Sequence, residues 1–185
     1  MTPISKMARH ISWCIPLDNR KLTLRQIALF GMLGALTFGA KVAMAGLPNI
    51  EPVSLMVILF AVTFGWKALY PVYVYVAMEM ILYPVGWWNL NYLYVWGILA
   101  VAALAMRRLK NPVWWALLSG LFGLAFGLLC CPVYAVMGGF DYAIRWWIAG
   151  LPFDYLHAAG NFAITLVLFA PLRKLLAMLY ARINQ

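Results

Sequence analysis

Six apolar runs follow one another along the chain, and most of the charged residues lie outside them. The runs cover residues 24–46, 53–66, 68–84, 90–106, 113–137 and 156–180. A helix needs about 20 residues to cross the hydrocarbon core of a bilayer, and the first, fifth and sixth runs exceed that length. The second and third runs are shorter, which predicts tilted or uneven spans. We therefore predict an all-α integral membrane protein with six transmembrane helices.

The composition supports one membrane domain. Hydrophobic residues make up 66% of the chain and charged residues only 10%, whereas about a quarter of the residues in soluble domains are charged. No flexible linker interrupts the runs, so residues 24–185 are predicted to form a single six-helix domain. Residues 1–23 are basic and lack the apolar centre of a signal peptide, which predicts a retained cytoplasmic leader.

Lysine and arginine indicate the orientation of the helices. Twelve of the 14 basic residues fall in residues 1–25, at position 67, in 107–110 and in 173–182, all on one predicted side. The connections at 47–52, 84–91 and 138–155 are predicted to be loops on the opposite side, and Arg145 is their only basic residue. By the positive-inside rule, both termini are predicted to be cytoplasmic.

Two ionisable residues lie inside the apolar runs. Lys41 and Glu79 are each five residues from the predicted outer end of their helix, at Gly46 and Pro84. A rise of 1.5 Å per residue places both about 7 Å below the outer surface. Equal depth and opposite charge predict a Lys41–Glu79 pair, since each charge offsets the desolvation of the other. The alternative is that Lys41 extends toward the headgroups.

Polar residues also mark the entry to the last helix. Asp154, His157 and Asn161 have the spacing i, i+3, i+7 and are predicted to share one helical face. Asp154 has a second interpretation as the N-cap of that helix. Capping does not account for Asn161, which needs a hydrogen-bonding partner in apolar surroundings.

The predicted outer half is rich in polar and aromatic side chains. Together with the five residues above, they form the predicted binding basin: Asn49, Glu51, Tyr83, Trp87, Trp88, Asn89, Asn91, Tyr92, Tyr142, Arg145, Trp146 and Trp147. The inner halves of the helices are expected to hold no buried charge. A basin that opens only outward is typical of a solute-binding site, although interfacial Trp and Tyr also form the ordinary aromatic belt.

Small residues recur every four positions along the first helix. Gly31, Ala35, Gly39 and Ala43 form a predicted ridge that would allow another helix to approach closely. The ridge could pack inside the bundle or dock onto another protein, and both alternatives stay open. Gly123 and Gly127 form a shorter version that is predicted to be internal.

Several chemistries have no recognisable motif. The sequence holds no nucleotide-binding G-x-x-x-x-G-K-[ST] loop and no His/Cys cluster with metal-ligand spacing. We predict no metal, no cofactor and no enzymatic activity. The net charge of +9 is attributed to topology and anionic lipid rather than to nucleic acid. The alternatives are a small intramembrane enzyme that uses Glu79 and His157, or a structural partner of another membrane protein.

Three stretches of the chain resemble a known family. GLPNIEPVSLMVILFAVTFGWKALYPVYVY, NLNYLYVWG and GLPFDYLHAAGNFAITLVLFAPL are similar to S-components, the substrate-binding membrane subunits of energy-coupling factor ABC transporters. The resemblance implies capture of a vitamin on the extracellular side of the cell membrane. It also implies docking onto a transmembrane coupling subunit that carries two ATPases. The similarity is greatest to cobalamin-specific members, and other vitamins or queuosine-type precursors are the alternatives. In the family, docking uses small residues of the first helix, often Ala-x-x-x-Ala, and here Gly31-x-x-x-Ala35 fills that position.

Overall fold

The computed structural model describes residues 21–47 and 49–184. Helices account for 87% of the structure, and the described residues include no strand. The prediction of an all-α chain is therefore confirmed. Residues 1–20 of the predicted leader lie outside the described residues.

The described residues form six α-helices in chain order. They are α1, Leu24–Ala43; α2, Val53–Phe64; α3, Leu69–Leu82; α4, Trp87–Met106; α5, Pro112–Leu124; and α6, Phe126–Ile183. A short 3-10 helix, Gly65–Ala68, joins α2 to α3. The Thr23 hydroxyl caps α1 by accepting from the Gln26 amide at 3.2 Å, and the Asn111 side chain caps α5.

Four helical stretches of the described chain are long and apolar enough to cross a membrane. They are Leu24–Ala43, Val53–Leu82, Trp87–Met106 and Pro112–Ile183. The second stretch is bent where Gly65 adopts a φ of 63°, and the fourth where Gly139 adopts a φ of 85°. Glycine takes such positive φ values at little steric cost. The predicted boundaries of the first, second, third and fourth runs agree with α1 to α4 within a few residues.

Helix α2 lies at the centre of the bundle. All twelve of its residues are buried, and α1, α4, α5 and α6 contact it. Its sequence, VSLMVILFAVTF, is almost uniformly apolar, which is typical of a helix enclosed on every side.

The predicted loop over residues 138–155 is wrong. Only Gly139 departs from helical geometry, and residues 140–155 belong to α6. Asp154 is therefore inside the helix and is not its N-cap. A single glycine suffices to reverse the chain, and an i,i+4 ion pair between Asp141 and Arg145 stabilises the returning helix.

Residues 112–138 and 140–183 pack side by side as an antiparallel helical hairpin. A Cβ atom added at Gly123 would lie 2.8–2.9 Å from backbone atoms of His157 and Ala158. One added at Gly127 would lie 2.5 Å from Oδ2 of Asp154. The prediction that these two glycines are internal is confirmed, because the hairpin packs too closely there for a side chain.

Polar residues are buried at the end of the bundle where α1 begins. The Gln26 side chain donates to Oδ1 of Asn184 at 2.8 Å and to the hydroxyl of Tyr180 at 3.4 Å, and it accepts from Nζ of Lys67 at 3.4 Å. Lys67 and Arg173 are both buried. The expectation of no buried charge in this half is therefore wrong, and the Gln26 side chain of α1 accepts a hydrogen bond from the Lys67 ammonium there.

Candidate functional site

A cavity of about 560 Å³ opens at the opposite end of the bundle, where α1 ends. It is lined by Lys41, Met44, Ala45, Leu47, Asn49, Ile50, Glu51, Glu79, Tyr83, Pro84, Trp88, Tyr92, Phe126 and His157. These residues come from four helices and from the α1–α2 and α3–α4 connections. The volume lies within the usual range for sites that bind small organic molecules.

An ion pair lies at the centre of this cavity. Nζ of Lys41 is 2.9 Å from Oε1 and 3.0 Å from Oε2 of Glu79. Only 1% of the Glu79 side chain is exposed, against 22% for Lys41. The predicted Lys41–Glu79 pair is therefore confirmed, and Lys41 turns toward the bundle instead of extending to the headgroups.

Tyrosine rings surround the Lys41 ammonium. Nζ lies 5.3 Å from the ring centroid of Tyr92, 5.9 Å from that of Tyr83 and 6.0 Å from that of Tyr75. It also donates to the hydroxyl of Tyr92 at 3.3 Å. Aromatic faces at these distances attract a cation electrostatically, so the lysine is held by its carboxylate and by the rings together.

Glu51 adds a second carboxylate to the cavity. Its Oε2 lies 4.0 Å from Nζ of Lys41, and 15% of its side chain is exposed. Burial raises the pKa of Glu51, and the nearby charge of Glu79 raises it further, whereas Lys41 lowers it. The net pKa is raised because burial has the largest effect.

His157 reaches the cavity from α6. The side chain is only 5% exposed, and its ring packs edge-on against Phe126 with centroids 5.0 Å apart. Nε2 has no hydrogen-bond partner among the described residues. A buried polar atom without a partner is costly, so a hydrogen bond to this nitrogen would offset that cost.

Buried aromatic rings close the cavity from below. Tyr75 and Trp96 are fully buried, with ring centroids 5.9 Å apart, and Trp96 packs against Phe122 and Phe126 at 5.7 and 5.8 Å. Tyr92 also packs against both Tyr75 and Trp96. The site therefore opens at one end of the bundle and has an aromatic floor.

Eight of the predicted basin residues line this cavity. They are Lys41, Asn49, Glu51, Glu79, Tyr83, Trp88, Tyr92 and His157. Prediction from sequence missed the lining residues Met44, Ala45, Leu47, Ile50, Pro84 and Phe126. Most of them lie near helix ends beside predicted residues. Their apolar side chains do not distinguish them from other apolar residues of the chain.

Three predicted residues at the start of α4 lie outside the lining. Oδ1 of Asn89 accepts from the Gly86 amide at 2.6 Å and so caps the helix. Oδ1 of Asn91 accepts from the hydroxyl of Tyr94 at 3.1 Å. The Trp87 side chain is 57% exposed. The contacts of Asn89 and Asn91 are therefore local and structural.

The aromatic and charged residues predicted in the 138–155 segment lie on the hairpin, also outside the cavity lining. Arg145 pairs with Asp141 at 2.7 Å, and the side chains of both are more than three-quarters exposed. The Trp146 ring stacks on Tyr134 with centroids 3.8 Å apart. Tyr142 is 46% exposed, and Trp147 lies near Gly127. The structure does not bring these four predicted residues to Lys41 and Glu79.

Asp154, His157 and Asn161 share one buried face of α6, as their spacing predicted. Oδ1 of Asp154 accepts from the Gly127 amide at 3.1 Å. Nδ2 of Asn161 donates to Oγ of Ser54 at 3.0 Å and to the carbonyl of Ser119 at 3.4 Å. Only His157 reaches the cavity, because its neighbours on this face are engaged with α2, α5 and the start of α6.

The small-residue ridge of α1 faces away from the bundle. Gly39, Ala35 and Ala43 are exposed and Gly31 is half-buried. A Cβ atom added at Gly31 or Gly39 would meet nothing within 4 Å. The glycine that packs internally is instead Gly34, where an added Cβ would lie 2.6 Å from the Val74 side chain. Of the two alternatives for the ridge, packing within the bundle is therefore wrong.

Comparisons with family models, with curated proteins and with solved structures find no match to this chain. Among the described residues, no group of three His, Cys, Asp or Glu side chains is placed to hold a metal ion. The two described cysteines, Cys130 and Cys131, are free thiols.

Proposed function

We propose that this chain captures a small organic solute in the cavity around Lys41 and delivers it through a separate membrane complex. The observation that carries the proposal is an open cavity of about 560 Å³ that combines a buried ion pair with aromatic walls and an aromatic floor. A conduit would need polar groups at every depth, whereas fully buried Tyr75 and Trp96 lie beneath the cavity. Capture at one end fits this arrangement better than conduction.

The proposal includes six membrane crossings with both termini in the cytoplasm. Contacts at the two ends support alternating directions: Gln26 meets Lys67 and Tyr180 at one end, while Lys41 meets Glu79 and Tyr92 at the other. Twelve of the 14 basic residues fall in segments at the end opposite the cavity or in the leader. The positive-inside rule then places the cavity on the extracellular side of the cell membrane.

In this proposal, the chain is the substrate-specific subunit of an energy-coupling factor importer. The resemblance in three stretches supports that assignment, and the exposed ridge of α1 supports contact with a transmembrane coupling subunit. The two ATPases of such a complex would supply the energy, because this chain contains no nucleotide-binding loop. The chain itself would catalyse no reaction.

The volume of the cavity limits the size of the vitamin that it can enclose. Pockets of about 300–1,000 Å³ enclose most of a drug-sized ligand, and a complete corrinoid is several times larger than such a ligand. Cobalamin, the vitamin favoured by the resemblance, would therefore extend well beyond the cavity. A compact vitamin or ring-containing precursor fits within it, and this is the ligand class that we propose.

Mass spectrometry of the purified chain tests the proposal. Small molecules released by denaturing the protein would be compared with those from an unrelated membrane protein purified from the same cells. We expect one compound in stoichiometric amount, taken up into vesicles only when the coupling subunit and the ATPases are also present. Conversion of the compound by the chain alone would indicate an enzyme, and the absence of any retained or transported compound would indicate a structural role.

A further inference from the structure

The charges that line the cavity do not balance. Glu51 and Glu79 contribute two carboxylates, and Lys41 contributes the only Lys or Arg side chain among the described lining residues. Both oxygens of Glu79 lie within 3.0 Å of the Lys41 ammonium. Glu51 lies farther away, at 4.0 Å, which exceeds hydrogen-bonding distance. Among the Lys, Arg, Asp and Glu side chains of the described lining, two carboxylates and one ammonium therefore leave a net charge of −1.

A second group in the same cavity also lacks a partner. Only 5% of His157 is exposed, and its Nε2 atom has no hydrogen-bond partner among the described residues. Tyr83, Trp88 and Phe126 line the cavity beside these polar groups. A carboxylate, a hydrogen-bonding nitrogen and flat aromatic surfaces thus face one space.

We propose that the cavity binds a compact ring compound that carries a positively charged nitrogen. The cation lies beside Glu51 and supplies the counter-charge that a single ammonium, shared between Glu79 at 2.9 Å and Glu51 at 4.0 Å, does not. The ring packs against the aromatic lining, and a polar group of the ligand hydrogen-bonds to Nε2 of His157. This inference rests on the proposed capture function and specifies the charge of its substrate.

An anionic ligand fits the same geometry poorly. The only lysine or arginine that could bind the anion among the described lining residues is Lys41. The Lys41 ammonium already contacts both carboxylate oxygens of Glu79 and donates to the hydroxyl of Tyr92. The anion would also lie close to Glu51 and Glu79, and like charges in a partly buried site repel strongly. A neutral ligand would avoid this repulsion but would leave the net negative charge of the cavity uncompensated.

Three probes with the same ring test the charge preference. Tryptamine, tryptophol and indole-3-acetate carry a cationic, a neutral and an anionic group on an indole side chain. Binding would be measured by calorimetry with the full chain in nanodiscs of zwitterionic lipid, with empty nanodiscs as the blank. We expect tryptamine to bind about tenfold or more tightly than tryptophol, as charge-assisted hydrogen bonds predict. Indole-3-acetate should bind most weakly.

Two variants assign the preference to Glu51. Glu51→Gln should reduce tryptamine affinity about tenfold and tryptophol affinity much less, because tryptophol carries no charge. Asp141→Asn is the matched control, because Asp141 is an exposed acid that is absent from the cavity lining, and it should change neither value. Glu51 lies in the α1–α2 connection, and a melting curve of each variant would verify that it is folded.

Each outcome has a defined meaning. Equal binding of the three probes, tighter binding of the anion, or an unchanged tryptamine affinity in Glu51→Gln would overturn the cationic-ligand inference. A neutral or anionic compound retained by the purified chain would overturn it too, while leaving solute capture intact. If no probe binds and no compound is retained, the capture function itself is wrong.

Discussion

The Lys41 ammonium lies within 3.0 Å of both carboxylate oxygens of Glu79 and joins the last turn of α1 to the last turn of α3. Glu79 is 1% exposed, so its charge depends on this contact. Removing one partner of a buried pair leaves an uncompensated charge, which is far more destabilising than removing both. The pair therefore has a structural role in addition to its place in the cavity.

Substitution of Lys41 should reveal that role. Lys41→Met is expected to lower the free energy of unfolding by about 3–5 kcal/mol, and Lys41→Met/Glu79→Gln should recover part of the loss. Thermal unfolding in detergent would provide the comparison. Lys110→Met, which removes an exposed cation from the α4–α5 connection, should leave the melting temperature almost unchanged. Equal stability of Lys41→Met and the natural chain would contradict the pair's structural role.

The raised pKa of Glu51 predicts a pH-dependent effect on stability. Burial and Glu79 favour the protonated form more than Lys41 disfavours it. The contribution of Glu51 to stability is then complete below its ordinary pKa of 4.5 and is lost as pH rises through the higher folded-state value. Glu51→Gln should therefore match the natural chain near pH 4.5 and become the more stable of the two toward pH 8.

Melting temperatures of both proteins across that pH range provide the check. The charges of Lys41 and Glu79 influence the pKa of Glu51, and Tyr92 interacts with all three groups in the cavity. Lys41, Glu79 and Tyr92 are identical in the two proteins. A lower melting temperature for Glu51→Gln than for the natural chain at pH 8 would mean that attraction to Lys41 exceeds the cost of burial.

Asn161 is expected to affect stability rather than ligand affinity. Asn161→Ala removes the donor to Ser54 and to the Ser119 carbonyl, and lost buried hydrogen bonds of this kind cost about 1–3 kcal/mol. Arg145→Ala removes an exposed ion pair, which is typically worth about 0–1 kcal/mol. Unfolding curves should separate the two variants, and ligand binding to the folded fraction should be normal in both. Weakened ligand binding by folded Asn161→Ala would show that Asn161 belongs to the ligand-binding site.

Sequence predicted the parts of the fold that depend on depth and polarity. Lys41 and Glu79 could be paired because helical rise gives both the same distance from a helix end. The helical structure of residues 140–155 could not be predicted, because Asp141, Arg145 and the neighbouring tryptophans have the composition of an outer loop. Whether such a segment is helical depends on tertiary packing, and the close contact of Gly123 with His157 is visible only in three dimensions.

The burial of Lys67 shows the same limit. A lysine between two apolar runs indicates a cytoplasmic turn, but its burial depends on Gln26 and the end of α6, which approach from distant parts of the sequence. Likewise, nothing in the sequence distinguishes Gly34 from Gly31. Only the structure distinguishes the glycine that packs against Val74 from the one that faces outward.

That distinction leads to a prediction about the two faces of α1. Gly34→Leu places a side chain where even a Cβ atom would lie 2.6 Å from Val74 and 2.8 Å from the carbonyl of Pro71. Overpacking of this kind costs about 1–3 kcal/mol or more, so the variant should melt at a lower temperature. A Cβ atom at Gly31 or Gly39 would meet nothing within 4 Å, so Gly31→Leu and Gly39→Leu should keep most of their stability and ligand binding.

The two outward variants should nevertheless lose the transport complex. A leucine on the ridge prevents another helix from approaching closely, so we expect purification of Gly31→Leu or Gly39→Leu from the source cells to recover several-fold less ATPase subunit, quantified by mass spectrometry. Val101→Leu enlarges an exposed residue of α4 and serves as the matched control. Full recovery of the ATPases by both ridge variants would show that the partner binds elsewhere. Loss of recovery with Val101→Leu as well would point to a general effect of larger side chains on the membrane-facing surface instead of a specific contact on α1.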